Sequence, residues 1–224
     1  MGQNNKMKSV IKVVYGYDTL CGWCYGFIPA VRLLTERYPS LLIKVVAGGL
    51  FTGPGARPYA TLVEHIRSKE GHLEQVTGYR PSDAFHEMIT SSDEVIADSA
   101  IPTHAIIQME SLAPERVLEF AHLLQEAHFG DGKDLNKPEV YDDICKQHAL
   151  PFLNTQEILQ ATATDPKVAT HFQKAIDIGI RSYPSIILQD SEERFSITMD
   201  SIYDPEGFVA EFERQAKKLE QMIA

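Results

Sequence analysis

The sequence predicts an α/β fold in which a long helical insertion interrupts the chain that builds a single β-sheet. Residues 1–52 read as strand–helix–strand, residues 53–178 carry almost only helical patterns, and residues 179–224 read as strand–strand–helix. Neither end of the chain can cover both faces of a sheet alone, so we expect the two ends to share one sheet. The predicted organisation is a discontinuous domain of residues 1–52 and 179–224, with residues 53–178 as a helical insertion domain.

The first part of the chain contains two predicted strands joined by a helix. Residues 10–15 are β-branched and almost continuously apolar, which is typical of a strand buried on both faces. After a short loop, apolar residues recur at helical spacing until Pro39 ends the pattern. Residues 41–47 form the second predicted strand, and two parallel strands joined by a helix need a right-handed crossover.

Prolines and glycines mark the boundaries of the later elements. Asp165 and Pro166 predict the start of a helix that ends at Gly179. Residues 184–188 and 195–199 then predict a hairpin, with a polar turn at residues 189–193. Asp204 and Pro205 predict the beginning of a final amphipathic helix.

Composition and charge argue against several functional classes. The 224 residues carry a formal net charge of −10 at pH 7, whereas sequence-independent binding of nucleic acid needs a basic surface. No apolar run reaches the length of about 18 residues that indicates a membrane-spanning helix. The first residues are polar and do not resemble a secretory signal, so we expect a cytoplasmic protein. Three cysteines are too few for a secreted disulfide framework.

Two of the cysteines form a Cys-x-x-Cys motif at the start of the first predicted helix. A thiol there faces unpaired backbone N–H groups and the positive end of the helix dipole, which favours the thiolate of Cys21. Cys24 lies one turn further along the helix and can resolve a mixed disulfide formed on Cys21. Gly22 lets the backbone turn tightly, and Trp23 offers a flat apolar surface beside the sulfur. In a reducing compartment this spacing indicates either redox chemistry or a metal site.

Two other interpretations of these cysteines stay open. They could be buried free thiols, although the motif precedes the apolar stripe of the helix instead of lying within it. They could also bind zinc together with Cys145 and His148, which share one face of a later helix. Nothing in the sequence requires the two pairs to meet, and Cys145 also suits a buried packing position. We therefore expect no metal.

Four features of the chain resemble the DsbA-like thioredoxin-fold proteins, in the branch that contains FrnE-type disulfide isomerases and the 2-hydroxychromene-2-carboxylate isomerases. They are the segment YDTLCGWC at residues 17–24, the helical insertion, the segment HFGDGKDLN at residues 128–136, and the segment GIRSYPS at residues 179–185. Together these features extend over residues 10–224. The resemblance implies a thioredoxin fold with a large all-helical insertion.

The resemblance also implies a substrate-binding loop beside the motif. In such proteins the proline at the place of Pro184 is cis and lies against the first sulfur, and the backbone of Tyr183 would pair with an extended substrate. From the residues alone an ordinary trans-proline turn is the better expectation, because only about 5–6% of X–Pro bonds are cis. Gly22 departs from the proline that is common there, which leaves the redox potential open. Tyr183 replaces a smaller valine or threonine and could narrow the groove.

Four further residues each have two interpretations. Asp18 could accept protons during exchange or tune the thiolate, or it could cap the helix as an ordinary loop acid. His104 could face the active site, or it could be packed or solvated like most helical histidines. Arg57 and Arg181 could attract the carboxylates of glutathione, or they could be ordinary surface arginines.

These patterns favour one mechanism and leave two alternatives. We expect dithiol–disulfide exchange through Cys21 and Cys24, with no tightly bound cofactor, on disulfide-bearing proteins or small-molecule thiols, and with glutathione as a candidate redox partner. One alternative is a glutathione-dependent isomerase or transferase, whose relatives typically carry serine where this chain has Cys21. The other is a chaperone-like binding module that uses the insertion. The exposed helical surface of the insertion would permit a homodimer.

Overall fold

A four-stranded sheet lies at the centre of the computed structural model, which describes residues 11–91, 94–190, 192 and 195–223. The strands are β1 (Ile11–Tyr17), β2 (Leu42–Ala47), β5 (Ser185–Asp190) and β6 (Ser196–Met199). Their order across the sheet is β2–β1–β5–β6. β1 runs parallel to β2 and antiparallel to β5, and β5 runs antiparallel to β6. The two ends of the chain therefore share one sheet, as the sequence predicts.

Helices cover this sheet and fill the long connection between β2 and β5. Helix α1 (Gly22–Arg37) joins β1 to β2, and helix α9 (Pro205–Ile223) follows β6. The connection contains α2 (Val63–Thr77), α3 (Asp83–Ser91), α4 (Ala100–Leu112), α5 (Val117–Gln125), α6 (Pro138–Gln147), α7 (Thr155–Leu159) and α8 (Pro166–Asp177). Over the residues that the structure describes, none of these helices has the length and apolar character needed to cross a membrane.

The insertion is helical apart from one short pair of strands. β3 (Arg57–Pro58) pairs antiparallel with β4 (Ile96–Ala97), and the backbone N–H of Tyr59 extends the contact by donating to the carbonyl of Val95 at 2.8 Å. Arg57 precedes a proline, and a residue in that position is restricted to extended backbone. This local restriction explains why strand pairing occurs inside an otherwise helical segment.

Alternation along the strands divides their side chains between two covered faces. Tyr15 belongs to the larger core, in which Phe27 of α1 and Phe208 of α9 pack edge to face with ring centroids 4.9 Å apart. Val14 points to the opposite face and packs in a second cluster with Ala175 of α8. α8, which the sequence-based boundaries assign to the insertion, thus covers the sheet. Burial of both faces explains the nearly continuous apolar character of β1 and β5.

The boundaries of several elements agree with the sequence analysis. Asp165 caps α8 by accepting a hydrogen bond from the backbone N–H of Lys167 at 2.9 Å, and Gly179 follows that helix with a φ of +90°. A φ of this sign favours glycine, which has no Cβ. Val10, predicted to start β1, and Ser191 and Glu193 of the predicted hairpin turn lie outside the described residues.

Two buried hydrogen bonds join the helical segment to the strand ends that carry the site. The hydroxyl of Tyr17, the last residue of β1, donates to the carbonyl of Ala121 in α5 at 2.8 Å. At the end of β2, the backbone N–H of Ala47 donates to Nε2 of His171 in α8 at 2.9 Å. Burial lowers the pKa of His171 to about 4, so the neutral imidazole can accept this bond.

Candidate active site

Cys21 and Cys24 lie where β1 ends and α1 begins. Cys21 is the N-cap residue of α1, and its carbonyl accepts a hydrogen bond from the backbone N–H of Tyr25 at 3.1 Å. The three cysteines of the chain are free thiols. Cys21 is 5% exposed and Cys24 is fully buried. The N-cap position leaves the Cys21 sulfur at the helix terminus, where the backbone N–H groups of the first turn are unpaired.

The surroundings of Cys24 disfavour the ionisation of its thiol. Burial raises the pKa of the Cys24 thiol well above its usual value, and the hydrogen bond with Cys21 adds to the rise. A hydrogen bond from the backbone of Asp18 acts in the opposite direction. The two thiols therefore differ in access and interact directly, as two members of an exchange pair must.

The loop before β5 approaches the first thiol. The peptide bond between Tyr183 and Pro184 is cis, which confirms the geometry that the family resemblance implies. The thiol of Cys21 donates to the carbonyl of Tyr183 at 3.5 Å. On the other side of the bond, the carbonyl of Pro184 accepts from the hydroxyl of Ser201 at 3.1 Å. The cis bond and the thiol thus face each other across the site.

The ring of Tyr183 takes a position that the sequence analysis does not anticipate. It lies over the backbone of Gly48, so closely that a Cβ at Gly48 would overlap the ring. Tyr183 is not among the residues that line the cavity next to Cys21. The glycine after β2 provides the place for the ring, which lies outside that cavity.

Asp18 connects three parts of the chain around the motif. Its carboxylate accepts hydrogen bonds from the backbone N–H of Leu20 at 2.9 Å, from the backbone N–H of Leu50 at 2.8 Å and from the hydroxyl of Ser99 at 3.2 Å. The side chain is fully buried, and this burial raises its pKa to about 6. Asp18 does not cap α1, since the N-cap residue is Cys21 and no side-chain cap bond is present there. Its carboxylate instead holds the loop before Cys21 in place.

Gln125 of α5 is a site residue that sequence reasoning missed. Its buried side-chain amide group donates to the carbonyls of Asp18 and Cys21, each at 3.2 Å, and to that of Thr19 at 3.5 Å. One side chain thereby contacts three of the four carbonyls of the turn that presents the first thiol. The only signal in the sequence is a glutamine directly after the apolar stripe of α5.

Trp23 stands between the motif and its neighbours and is only partly exposed. Its ring lies 5.5 Å from the ring of His72 on α2 and 5.6 Å from the ring of Tyr203, measured between centroids. The flat apolar surface expected beside the sulfur is therefore half covered. The uncovered part lines the cavity described next.

A cavity of about 170 Å³ opens beside Cys21 under helix α2. Most of its lining is apolar, and it includes Trp23 and Phe129. Exposed His65 and Lys69, together with Glu70, supply polar groups from α2. The lining is completed by Leu20, Gly22, Leu50, Phe51, Tyr59, Ile66, Leu73, Pro81 and Phe85. The arrangement can admit a small molecule to the first thiol.

Other residues considered from the sequence lie apart from this cavity. Arg57 is exposed on β3, and Arg181 donates to the carbonyls of Ile176 and Ile180 at 2.7 and 3.2 Å, next to the end of α8. His104 is buried in α4. None of the three lines the cavity. These arginines therefore have no direct role in holding a ligand there.

The structure also addresses the zinc alternative. Within the described ranges, which contain both cysteines of the motif as well as Cys145 and His148, no three potential ligands of the His, Cys, Asp or Glu type are grouped closely enough to hold a metal ion. Cys145 is buried in α6, where burial raises the pKa of its thiol. The two pairs of potential ligands do not meet.

Comparison with solved structures places this arrangement among known folds. Cytosolic disulfide reductase DsbM from Pseudomonas aeruginosa matches with a TM-score of 0.74 and 22% sequence identity, over 92% of this chain and 98% of that chain. Its structure with GSH gives a TM-score of 0.72 and 23% identity, over 92% and 99% of the two chains. A 2-hydroxychromene-2-carboxylate isomerase gives a TM-score of 0.57 and 15% identity, over 92% and 98%. No protein-family model matches the sequence, and no curated protein does so either.

At these sequence identities the similarity concerns the fold. The match extends over nine-tenths of this chain and nearly all of the chains that it matches. In this chain the fold comprises the mixed sheet, the helix that begins after Cys21 and the helical insertion between β2 and β5. The protein therefore has the DsbA-like thioredoxin fold with a helical insertion.

Proposed function

We propose that the protein is a thiol–disulfide oxidoreductase that works through Cys21 and Cys24. The thiolate of Cys21 attacks one sulfur of a substrate disulfide, so that a mixed disulfide forms and the first substrate thiolate leaves. Cys24 then attacks the Cys21 sulfur, and the second substrate thiolate leaves as Cys24 gives up its proton. The substrate gains two electrons and two protons, and the protein is left with a Cys21–Cys24 disulfide. Two molecules of a small thiol restore the dithiol.

One observation carries this proposal. The N-cap thiol of Cys21 lies 3.5 Å from the carbonyl that precedes the cis bond to Pro184. An incoming sulfur can reach this thiol from the cavity, while the neighbouring backbone carbonyl can accept a hydrogen bond from the chain that carries it. The similarity to a cytosolic disulfide reductase supports the same reaction class and a reducing compartment.

The shape of the site supports a small disulfide as the substrate. Cys21 is 5% exposed and reached through a cavity of about 170 Å³, which suits a low-molecular-weight molecule or a narrow peptide better than a folded surface. Lys69 stands at the edge of the lining, where its charge attracts carboxylates. The carboxylate of Glu70 in the same lining lies 2.8 Å from Nε2 of His86. Because a similar fold has been seen with GSH, we propose mixed disulfides between glutathione and another thiol as substrates. Two molecules of glutathione then reduce the Cys21–Cys24 disulfide and leave as oxidised glutathione.

Equilibration with defined ratios of reduced and oxidised glutathione tests the redox pair. After acid quenching and thiol labelling, mass spectrometry measures the fractions of dithiol, glutathione adduct and intramolecular disulfide. We expect a reversible Cys21–Cys24 disulfide. A midpoint near about −270 mV would indicate a thioredoxin-like reductase, and one above about −200 mV an oxidase or isomerase. If no intramolecular disulfide forms at any ratio, the dithiol mechanism is wrong.

Single substitutions separate the roles of the cysteines. Cys21→Ser should abolish the glutathione adduct and turnover, whereas Cys24→Ser should accumulate the adduct because nothing resolves it. Cys145→Ser is the matched control, since Cys145 is also buried but lies in α6 away from the cavity. We expect it to form the intramolecular disulfide like the natural protein.

The apolar cavity and the similarity to a 2-hydroxychromene-2-carboxylate isomerase favour a second candidate, a glutathione-dependent isomerase. Such a reaction uses the thiol of glutathione and needs no second protein thiol. It predicts that Cys24→Ser keeps full glutathione-dependent turnover of an unsaturated ring carboxylate. Loss of all turnover in that variant would exclude the isomerase and leave disulfide exchange.

A further inference from the structure

One buried tyrosine differs from the others in how its hydroxyl is used. Five tyrosines are buried in the described part of the chain, and four of them have a hydrogen-bond partner for the hydroxyl: Tyr17 with Ala121, Tyr38 with Glu213, Tyr59 with His128, and Tyr141 with Leu135. Within the same residues the hydroxyl of Tyr15 makes no such bond to an oxygen or nitrogen, and the hydrogen-bonding group beside it is the thiol of Cys24. A buried tyrosine hydroxyl usually finds a partner, so one without an oxygen or nitrogen partner calls for an explanation.

The position of Tyr15 brings this hydroxyl to the second thiol of the motif. Its ring is held edge-on against Tyr17 at 5.7 Å and tilted against Phe27 at 6.1 Å, between centroids. Phe27 lies three residues after Cys24, on the same face of α1. Among the ionisable groups that act on the Tyr15 hydroxyl, Cys24 has the largest effect.

We propose that the hydroxyl of Tyr15 donates a hydrogen bond to the sulfur of Cys24 as this thiol loses its proton and attacks the mixed disulfide. The inference rests on the proposed function, since it concerns the second step of exchange. In that step the bond between Cys21 and the substrate sulfur breaks, a Cys21–Cys24 bond forms, and the substrate leaves as a thiol that carries the proton of Cys24. Tyr15 keeps its own proton throughout.

The surroundings of Cys24 show why such a donor matters. Burial of Cys24 and a charge on either Cys21 or Asp18 oppose its ionisation. The other titratable groups that face the thiol pair belong to Tyr17 on β1, Tyr183 before β5 and Tyr203 after β6. The Tyr17 hydroxyl is already donated to Ala121. Tyr15 stays protonated because burial raises its pKa well above the usual value, so it can donate at any pH at which exchange occurs.

Substitution of Tyr15 by phenylalanine removes the hydroxyl and keeps the ring. Reduced protein is mixed with oxidised glutathione, and acid-quenched samples are analysed by mass spectrometry for the Cys21 adduct and the intramolecular disulfide. We expect the second step to slow by about tenfold, as loss of a hydrogen bond to a charged sulfur implies. The adduct should accumulate, and the pH dependence of the second step should move up by about one pH unit. The first step, measured in a Cys24→Ser background, should not change.

Tyr141→Phe is the matched control, because its hydroxyl makes an ordinary buried bond to the carbonyl of Leu135. It should lower the melting temperature and leave both steps unchanged. Tyr15→Phe should lower the melting temperature less than Tyr141→Phe, because the hydroxyl that it removes faces only the thiol of Cys24. A natural second-step rate and pH profile in Tyr15→Phe would overturn the inference. Absence of the intramolecular disulfide in the natural protein would instead overturn the proposed function.

Discussion

The sheet region and the helical segment contribute different parts of the candidate site. The turn after β1, helix α1 and the loop before β5 carry both thiols and the cis bond, all held by adjacent strands. The helical segment supplies Gln125 and Ser99, which hold the turn, and α2, which covers the cavity. In the proposed mechanism the sheet region carries the reacting thiols. The helical segment positions the turn before Cys21 and limits the access of substrates to that thiol. The comparison teaches that reactivity and selectivity are encoded in separate stretches of the chain.

The largest effect is expected at Asp18, the carboxylate that both regions share. Burial raises its pKa from the usual 3.8 to about 6, so between these values the folded protein holds a proton that the unfolded chain has released. The stability from this group is therefore complete below about pH 4 and is lost as the pH rises through about 6, a change of ~3 kcal/mol. The free energy of unfolding of the natural protein relative to Asp18→Asn should fall by this amount between pH 4 and 7, measured by urea denaturation.

Three buried histidines also titrate in this pH range, but they do so equally in the natural protein and in Asp18→Asn. Burial lowers the pKa of His122 to about 3, and that of His128 and His171 to about 4. Their contribution to stability rises with pH in both proteins and cancels in the difference. Parallel stability profiles for the natural protein and Asp18→Asn would mean that burial does not raise the pKa of Asp18 in the folded protein.

A smaller loss of stability is expected when the hydrogen bonds from α5 to the turn before Cys21 are removed. Gln125→Leu removes the bonds to the carbonyls of Asp18 and Cys21, which should lower the free energy of unfolding by about 2 kcal/mol and slow exchange. Gln108→Leu is the control, because Gln108 bonds only to the backbone of Asn154 inside the helical segment. Thermal unfolding and exchange rates are measured for both. Equal exchange rates in the two variants would show that the turn holds its position without α5.

Within the sheet region, Gly48→Ala tests whether the packing of the Tyr183 ring over Gly48 holds the loop that contains the cis bond to Pro184. The new Cβ would overlap the ring of Tyr183, so the loop must shift, at about 1–2 kcal/mol of stability. Because the carbonyl of Tyr183 accepts from the Cys21 thiol, exchange should slow as well. The double variant Gly48→Ala/Tyr183→Thr should recover the rate. A double variant as slow as Gly48→Ala would place the defect in β2 instead of the cis loop.

The smallest effect concerns selectivity. Lys69→Ala should raise KM for oxidised glutathione by about threefold, as expected for an exposed charge, and leave KM for the neutral hydroxyethyl disulfide unchanged. Lys146→Ala, exposed on α6, is the control and should change neither. Equal changes in KM for both disulfides would mean that Lys69 affects the shape of the cavity and does not bind the charged groups of the substrate.

The sheet region could largely be predicted from the sequence, because its signals are local. A β-branched run before the motif and a proline before the next strand mark β1 and β5, and the family resemblance adds the cis geometry of Pro184. The contacts of the helical segment could not be predicted in this way. Gln125 and Cys21 are 104 residues apart, and their meeting depends on how α5 packs against α1. Trp23 is half covered for the same reason, since α2 lies above it.

Tyr183 shows a second limit of sequence reasoning. Its size suggested a narrowed groove, but the free space above Gly48 decides where the ring lies. That space is left by Gly48, whereas a Cβ at Gly49 would meet Thr52 and Phe172 instead of the ring. Sequence reasoning read both glycines only as the end of a strand. The glycines are visible in the sequence, but the ring that uses the space belongs to Tyr183, on the loop before β5. This relation becomes evident only when the pairing of the strands is known.

The chain contains one tryptophan, and it lies between the two cysteines of the motif. Trp23 contacts rings from α2 and from the segment after β6, so its surroundings belong to both regions. Excitation selective for indole would therefore report on this site and on no other place in the molecule. A change from dithiol to disulfide alters the sulfur of Cys24, the next residue, and that of Cys21, two residues earlier. We expect the fluorescence of Trp23 to differ between the dithiol and the disulfide forms, so the oxidation state can be followed in solution without a label.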